Sequence, residues 1–341
     1  MVKNILKFLI AVVLLVITFF LYQKHKTFYA PNVPENLKSE FIEIPTGSTF
    51  EEVVGLLEEG NFILDEESFR EAAEWMKYKK PVMRAGKFKI VPGWSNHQLV
   101  RHLRGGDQTT VKLVLHNERL PETVAAKVAR FIEPDSLDLV TLFHDEAYLE
   151  SIGYTRETLQ SLFIPNTYDF FWTTSPKQFV ERMLKEHEKF WNRNNRKAKA
   201  DSLNMTPQEV YTLASIIEKE TNQNAEKRRM AGVYLNRLTK NMLLQADPTC
   251  VFATRDFTTN RVTDYHLNFD SPYNTYLYPG LPPGPIAMAS IASIDAVLNA
   301  EKNDYIFFCA KGDGSGLHAF AKTLAGHNQN VARYRRNLRK W

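Results

Sequence analysis

The hydrophobic pattern of the chain begins with a long apolar run near the N-terminus. Residues 8–22 carry no charged side chain, and Ile5 and Leu6 extend the run backwards. The run lies at the short end of the roughly 17–25 residues usual for a membrane-spanning helix. No small-x-small cleavage site directly follows Tyr22, which favours an uncleaved anchor over a signal peptide. We predict a transmembrane anchor and its flanks over residues 1–26.

The sequence around this run gives a weak indication of orientation. Two lysines and the amino terminus precede the run and two lysines follow it, so the positive-inside rule leans slightly towards a cytoplasmic N-terminus. Residues 27–38 contain Pro31 and Pro34 and predict an extended tether that lifts the folded part off the membrane.

The next stretch contains one pattern twice: a short strand, a turn with proline or glycine, and a capped helix. In the first copy, residues 41–44 alternate as in a strand and residues 48–57 predict the helix. In the second copy, residues 86–91 are strand-like and residues 94–103 predict the helix. Residues 110–115 predict the strand that leads out.

This arrangement resembles the LysM-like module, a small unit that in other proteins holds N-acetylglucosamine polymers. The match is one of pattern and not of specific residues. The alternative is a small α+β module over residues 39–115 that only spaces the active domain from the membrane. Both interpretations stay open at this point.

Residues 206–221 carry the pattern around which the rest of the chain is organised. Thr206 can cap a helix, Pro207 suits its first position and Glu209 completes a capping box. Apolar residues then follow at helical spacing, which predicts that this helix packs into a core. They are Val210, Leu213, Ala214 and Ile217.

Two carboxylates stand at the far end of this predicted helix. Glu218 and Glu220 lie on either shoulder of the apolar stripe, at the border between buried and solvated positions. Because residues two apart do not share a helix face, both cannot point into one cleft, and one of them would act alone. Two solvated glutamates at a helix end are the alternative, so a catalytic acid needs support from elsewhere in the chain.

Composition and motifs argue against several classes of function. The net charge of +4 comes from dispersed Lys and Arg and does not indicate nucleic acid as a partner. The sequence has no HExxH motif, no cysteine cluster and no GxSxG elbow, and His318 and His327 are too separated for a helical ligand pair. We expect neither a metal nor another cofactor. Cys250 and Cys309 are predicted to be two separately buried thiols, with a disulfide as the alternative outside the cytoplasm.

Rigid polar loops follow the two glutamates along the chain. Proline, glycine and polar residues concentrate in residues 245–249, 271–276 and 280–286, and such fixed backbones suit the walls of a cleft. A partly buried carboxyl group beside such loops is suited to proton transfer at a glycosidic oxygen. Burial raises the pKa of that carboxyl group, so that it holds a proton at neutral pH.

Six ordered sequence blocks closely resemble those of the membrane-anchored endolytic murein transglycosylases, the MltG or YceG-like family. The blocks are residues 214–221, 231–238, 244–249, 271–276, 280–286 and 318–320. The resemblance covers essentially the whole chain and implies an α+β fold. An N-terminal transmembrane helix and a small LysM-like module would precede a larger mixed α+β catalytic domain, residues 116–341, with the catalytic glutamate on a helix. Residues 161–168 and 288–291 depart from the family pattern.

The resemblance assigns the catalytic acid to the first glutamate of the Glu-Lys-Glu-Thr block, which is Glu218, and makes Glu220 a supporting residue. One carboxyl group suffices for the implied reaction. It protonates the oxygen between N-acetylmuramic acid and N-acetylglucosamine, then takes the proton of the muramyl C6 hydroxyl group as a 1,6-anhydro end forms. Five polar residues are candidate contacts to the acetamido groups and the distorted ring, each with a structural role in its loop as the alternative: Gln245, Asp247, Asn274, Tyr276 and His318.

The resemblance also implies a location and partners. The catalytic body would lie in the periplasm on a single span of the bacterial inner (cytoplasmic) membrane, with the N-terminus in the cytoplasm. It would cut nascent peptidoglycan glycan strands within the chain and so end their elongation, near peptidoglycan synthases. Two other functions stay open: a muramidase in which Asp247 is the second carboxylate beside Glu218, and a non-catalytic glycan-binding scaffold.

Overall fold

Two-stranded sheets and short capped helices make up the folded part of the protein, whose computed structural model describes residues 2–339. The strands are β1 (Phe41–Ile44), β2 (Gly86–Lys89), β3 (Thr110–Leu115), β4 (Asn166–Phe171), β5 (Phe307–Ala310) and β6 (His318–Ala321). They pair as β1 with β2, β3 with β4 and β5 with β6. The helices are α1 (Val2–Tyr29), α2 (Phe50–Glu59), α3 (Glu66–Trp75), α4 (Asn96–Gly105), α5 (Pro121–Val128), α6 (Ser136–Phe143), α7 (Glu146–Ser151), α8 (Pro176–Asn192), α9 (Arg196–Ser202), α10 (Pro207–Glu220), α11 (Asn224–Thr239), α12 (Asp247–Thr254), α13 (Asp264–Leu267), α14 (Ile291–Leu298) and α15 (Leu324–Leu338). The mixed α+β class predicted from the sequence is confirmed.

The chain divides into two compact units. Within residues 2–339, the first unit consists of residues 2–112, Phe131–Glu133 and Asp169–Thr174, and the second consists of the other described residues from Leu113 onwards. The division falls near the predicted boundary after residue 115, but two later segments return to the first unit.

The first unit contains the repeated pattern of strand and capped helix. β1 and β2 run antiparallel, with the buried side chains of Ile42 and Phe88 opposite each other. The side chain of Thr49 caps α2 in a reciprocal arrangement with Glu52. Ser95 caps α4 in the same way. The predicted strands and helices of this part of the sequence are confirmed.

The N-terminal helix and the segment after it differ from the prediction of a free tether. α1 continues to Tyr29, and its stretch Lys3–Tyr29 is long and apolar enough to cross a membrane. Beyond it, Asn32 and Val33 are buried in the first unit. The Asn32 side chain donates to Asn96 Oδ1 at 2.7 Å and accepts from the Asp65 N–H at 2.8 Å. The tether prediction is wrong for this segment, because one buried apolar side chain and paired amides fix it to the fold.

The second unit is built around α10. Thr206 and Glu209 form the predicted capping box, and every residue from Val210 to Ile217 is buried. The predicted apolar stripe is therefore part of a helix enclosed on most sides, because α9, α11, α12 and α14 all pack against it. β5 and β6 form the hairpin expected near the end of the chain.

Candidate active site

The two glutamates at the end of α10 point into different surroundings. Glu218 contacts side chains of α11 and of the start of α14. Glu220 contacts Tyr234 of α11 and lines an open cavity in the second unit. The separation expected from their spacing on the helix is therefore observed.

Glu218 is held by three donors on one of its oxygens. Its Oε2 accepts from Ser290 Oγ and Ser293 Oγ, each at 2.5 Å, and from Lys227 Nζ at 2.9 Å. The Lys227 side chain is 4% exposed and that of Glu218 is 20% exposed. Burial raises the pKa of Glu218, but the hydrogen bonds from Ser290, Ser293 and Lys227 outweigh it, and the pKa lies below its ordinary value. The sequence predicts that burial keeps this carboxyl group protonated, and here these three donors oppose the effect of burial.

Glu220 has the opposite electrostatic setting. Burial, together with the negative charge of Asp247, raises its pKa to about 7, although the Tyr234 hydroxyl group works against the rise by donating to Glu220 Oε1 at 2.7 Å. A carboxyl group with such a pKa is protonated in a large fraction of molecules at neutral pH. Of the two glutamates, Glu220 has the property expected of a general acid.

The cavity beside Glu220 has a volume of about 490 Å³ and brings together residues distant in sequence. Four of the five predicted substrate contacts line it: Gln245, Asp247, Tyr276 and His318. The Tyr276 hydroxyl group donates to Asp247 Oδ1 at 2.5 Å. Gln245 stands at a positive φ of 52° and its backbone N–H donates to the Thr275 carbonyl oxygen. The loops of residues 245–249 and 271–276 thus form one wall.

His318 is placed by a buried carboxylate. Its Nδ1 lies 2.6 Å from Glu226 Oε1, and its backbone N–H donates to Glu226 Oε2 at 3.0 Å. Thr221, directly after α10, donates to the same carboxylate at 3.0 Å. Because Nδ1 is engaged, Nε2 is the ring nitrogen with which His318 can bind a ligand in the cavity.

Asn274, the fifth predicted contact, does not line this cavity. Its side chain is fully buried, and its Nδ2 lies within hydrogen-bond distance of three backbone carbonyl oxygens at 2.9–3.3 Å. Its Oδ1 accepts from the Tyr276 N–H and from Cys250 Sγ. Of the two roles considered for it, this arrangement matches the structural one: Asn274 fixes the loop that carries Tyr276.

Several residues of the site are not among those predicted from the sequence. Arg237 lines the cavity, is 7% exposed, and donates to the Leu244 carbonyl oxygen at 2.6 Å and to Gln245 Oε1 at 3.1 Å. His327 stacks on Phe307 at the opposite wall. A partial signal exists for Arg237, because it stands one helical turn after Tyr234 on the same predicted side of α11. No local signal marks His327, which reaches the cavity only through the packing of α15.

The two cysteines are not bonded to each other. Cys250 is buried beside Asn274, whereas Cys309 is partly exposed and lines the cavity. The predicted separate thiols are thus observed, with only one of them buried.

Comparisons with known proteins support one family. The model of the YceG-like family matches residues 42–333. A Bacillus subtilis protein named endolytic murein transglycosylase is 29% identical over an alignment of 310 residues, and the match covers 86% of this chain and 84% of that protein. A Streptococcus pneumoniae protein of the same name is 26% identical over 323 residues, 86% of this chain but only 58% of its own length. The crystal structure of a YceG-like protein from Listeria monocytogenes matches with a TM-score of 0.57 and 28% identity, over 85% of this chain and 97% of that one. The resemblance carried by the six sequence blocks is confirmed, and the chain belongs to the YceG-like family.

Proposed function

We propose that this chain cuts murein glycan strands as an endolytic lytic transglycosylase and that the carboxyl group of Glu220 is its acid and base. The observation that carries the proposal is the cavity that Glu220 lines together with Asp247, Tyr276 and His318, and burial in this place raises the pKa of Glu220. The names of the relatives from Bacillus subtilis and Streptococcus pneumoniae support the same activity. The chain is thus an enzyme, a lyase acting on the cell-wall polysaccharide.

The proposed reaction uses one carboxyl group twice. Protonated Glu220 gives its proton to the oxygen between N-acetylmuramic acid and N-acetylglucosamine, and the bond from that oxygen to muramyl C1 breaks. The muramyl C6 hydroxyl oxygen bonds to C1 while its proton passes to the Glu220 carboxylate. The products are a free N-acetylglucosamine hydroxyl group and a 1,6-anhydro end, and Glu220 returns to its starting state.

The neighbouring side chains support the charge changes of this cycle. The Tyr234 hydroxyl group stabilises the Glu220 carboxylate formed in the first step, because it donates to Oε1. Asp247 favours the return of the proton, because its negative charge raises the pKa of Glu220. His318 and Gln245 offer polar groups to the sugar's acetamido substituents.

Assigning the acid to Glu220 changes the role of Glu218. Lys227, Ser290 and Ser293 donate to Glu218 Oε2, and these hydrogen bonds hold the pKa of Glu218 below its ordinary value, which disfavours a proton on this carboxyl group. We propose that Glu218 joins α10 to α11 and α14, and thereby holds the end of α10 that carries Glu220. The assignment of the acid to Glu218 from the family resemblance is the competing proposal.

Paired glutamine variants of the full chain distinguish the two assignments. We expect Glu220→Gln to reduce the release of anhydro-ended fragments from purified glycan strands by about a hundredfold or more, the usual effect of losing a general acid. We expect Glu218→Gln to lower thermal stability and to keep much more activity than Glu220→Gln. Glu188→Gln, at an exposed position on α8, is the matched control. Full activity in a folded Glu220→Gln variant would refute the proposal and favour a non-catalytic scaffold or another acid.

A muramidase is the second candidate because Asp247 offers a second carboxylate in the same cavity as Glu220. The hydrogen bond from Tyr276 argues against it, since the Tyr276 hydroxyl group already occupies Asp247 Oδ1, an oxygen that a second catalytic carboxylate would need free. Mass spectrometry of the fragments separates the two reactions. An anhydro end is lighter than a hydrolysed end by one water molecule.

We propose that α1 anchors the enzyme in the inner membrane as a single span, with the N-terminus in the cytoplasm and both folded units in the periplasm. This orientation would place the cavity next to newly made strands and their synthases, so that cutting ends strand elongation. A LysM-like role of the first unit in holding glycan is part of the same proposal. Protease added to spheroplasts tests the orientation, because it should digest both units and leave only the anchor.

A further inference from the structure

A second, smaller cavity in the second unit has no role in the proposed reaction. It has a volume of about 210 Å³ and is lined by residues of α5, α6, α12 and the loops around them. Its floor is apolar, with Phe143, Phe252, Tyr273 and Pro285, and its rim carries Arg119, Arg156 and Arg255. A space of this size holds one or two amino-acid residues and not a disaccharide.

The three arginines form no ion pair within residues 2–339. Two carboxylates line the same cavity: Glu122 lies 3.0 Å from His144 Nε2, and Glu157 accepts from Thr155 at 2.7 Å. The three guanidinium groups outnumber these two carboxylates, so the lining keeps an excess of positive charge.

Aromatic rings hold two of the guanidinium groups in place. Arg119 stands 4.7 Å from the ring centre of Phe257, and Arg255 stands 4.1 Å from that of Phe252. Positioned guanidinium groups without counter-ions favour an anionic ligand, above all a carboxylate.

Gln160 supplies a second, independent observation. Its side chain lines the cavity and is 2% exposed, and its Oε1 has no hydrogen-bond partner in the described part of the chain. The opposite orientation of the amide does not solve the problem, because Nε2 donates to the Glu118 carbonyl oxygen at 3.0 Å and this hydrogen bond would then be lost. A buried acceptor without a partner favours a ligand that brings an N–H or O–H donor. A peptide meets both requirements, because it carries N–H groups beside its carboxylates.

The cavity lies beside the end of α10. Lys219, between the two glutamates, donates to Asn117 Oδ1 at 3.0 Å, and burial and then the charge of Arg119 lower the pKa of Lys219. The charge of Arg119 therefore acts on Lys219, which stands next to Glu220 in the sequence.

We propose that this arginine-lined cavity binds an acidic residue of the peptide stem that murein carries on its muramic acid. The inference rests on the proposed function, because it assigns to the cavity a part of the same substrate. The arginines bind the carboxylate of the stem, and Gln160 Oε1 accepts from a peptide N–H group of the stem. The aromatic floor contacts the methyl and methylene groups of the stem's side chains. The enzyme would thereby distinguish strands that carry stems from strands that have lost them.

Two measurements on the full chain in detergent test this proposal. The first is calorimetric binding of the soluble tetrapeptide stem released from murein by an amidase. We expect Arg156→Glu and Arg255→Glu to weaken binding by about tenfold each, because each removes a charged hydrogen-bond donor. Arg156→Lys should recover part of the affinity, and Arg193→Ala, at an exposed position at the end of α8, should bind as the unchanged chain does. Arg156 and Arg255 are both exposed, so thermal unfolding should show that their variants fold.

The second measurement is kcat/KM on two preparations of the same strands, one with stems and one freed of stems by the amidase. The ratio compared is kcat/KM on strands with stems divided by kcat/KM on strands without stems. We expect this ratio to exceed one for the unchanged chain and for Arg193→Ala and to be close to one for Arg156→Glu. The difference should lie in KM and not in kcat. Three results would each overturn the proposal. The first is that the unchanged chain binds no stem, and the second is that Arg156→Glu binds the stem equally well. The third result is displacement of the stem by inorganic pyrophosphate at equal concentration. If the chain cuts both preparations equally, the stem site is wrong and the proposed activity stands. If it binds stems through these arginines and cuts neither preparation, the activity is wrong and the stem site stands.

Discussion

Replacing Tyr234 by Phe removes one hydrogen bond to the proposed acid and keeps the aromatic ring in place. The Tyr234 hydroxyl group donates to Glu220 Oε1 at 2.7 Å, and the Tyr234 side chain is 1% exposed. The bond stabilises the ionised form of Glu220 and so lowers its pKa. Without it, the pKa of Glu220 must rise. Activity that needs protonated Glu220 then persists to higher pH.

The size of the shift follows from the energy of the bond. A hydrogen bond to a charged group contributes about 1.5–3 kcal/mol, and one pKa unit corresponds to about 1.4 kcal/mol. Because the carboxyl group of Glu220 is only partly buried by the cavity wall, we take the lower end. The alkaline limb of the pH profile should move from near pH 7 to about pH 8.

The assay is the release of anhydro-ended fragments from purified glycan strands between pH 5 and pH 10, scored as kcat/KM. This quantity reports the pKa of the free enzyme. Tyr265→Phe, at an exposed position on α13, is the matched control and should leave the limb unmoved. A limb that stays in place or moves to lower pH in Tyr234→Phe would refute the assignment of the limb to Glu220.

Three further variants test the surroundings of the site. Asp247→Asn removes a negative charge that raises the pKa of Glu220, so the alkaline limb should move to lower pH; a shift to higher pH would contradict the electrostatic account. Lys227→Met leaves the Glu218 carboxylate without its cation and should lower the free energy of unfolding by about 3 kcal/mol in urea titrations, whereas a solvated pair would cost almost nothing. Asn274→Ala leaves buried backbone groups without partners and should cost about 3 kcal/mol or more by the same titration, and an unchanged stability would show that Asn274 does not fix its loop.

Local sequence alone specifies the secondary-structure elements and one property of the site. Thr206, Pro207 and Glu209 fix the start of α10, because a capping box satisfies backbone groups within four residues. The spacing of Glu218 and Glu220 on a helix already required that they face different surroundings, and they do. The order of the six blocks indicated the family, because sequence motifs can be recognised along a chain without knowing how the segments that carry them pack.

Tertiary packing, by contrast, places Glu220 at the cavity and sets the direction in which the pKa of each glutamate shifts. The donors to Glu218 come from residues 9, 72 and 75 positions further along the chain, and Glu220 owes its raised pKa to burial and to Asp247. No local pattern states which distant side chains will meet a carboxylate, and yet those neighbours fix its pKa. The same reason applies to the segment after α1, where the buried pairing of Asn32 with Asn96 depends on residues 64 positions apart. Periodicity and capping act over a few residues, whereas burial and charge act through whatever the fold brings together.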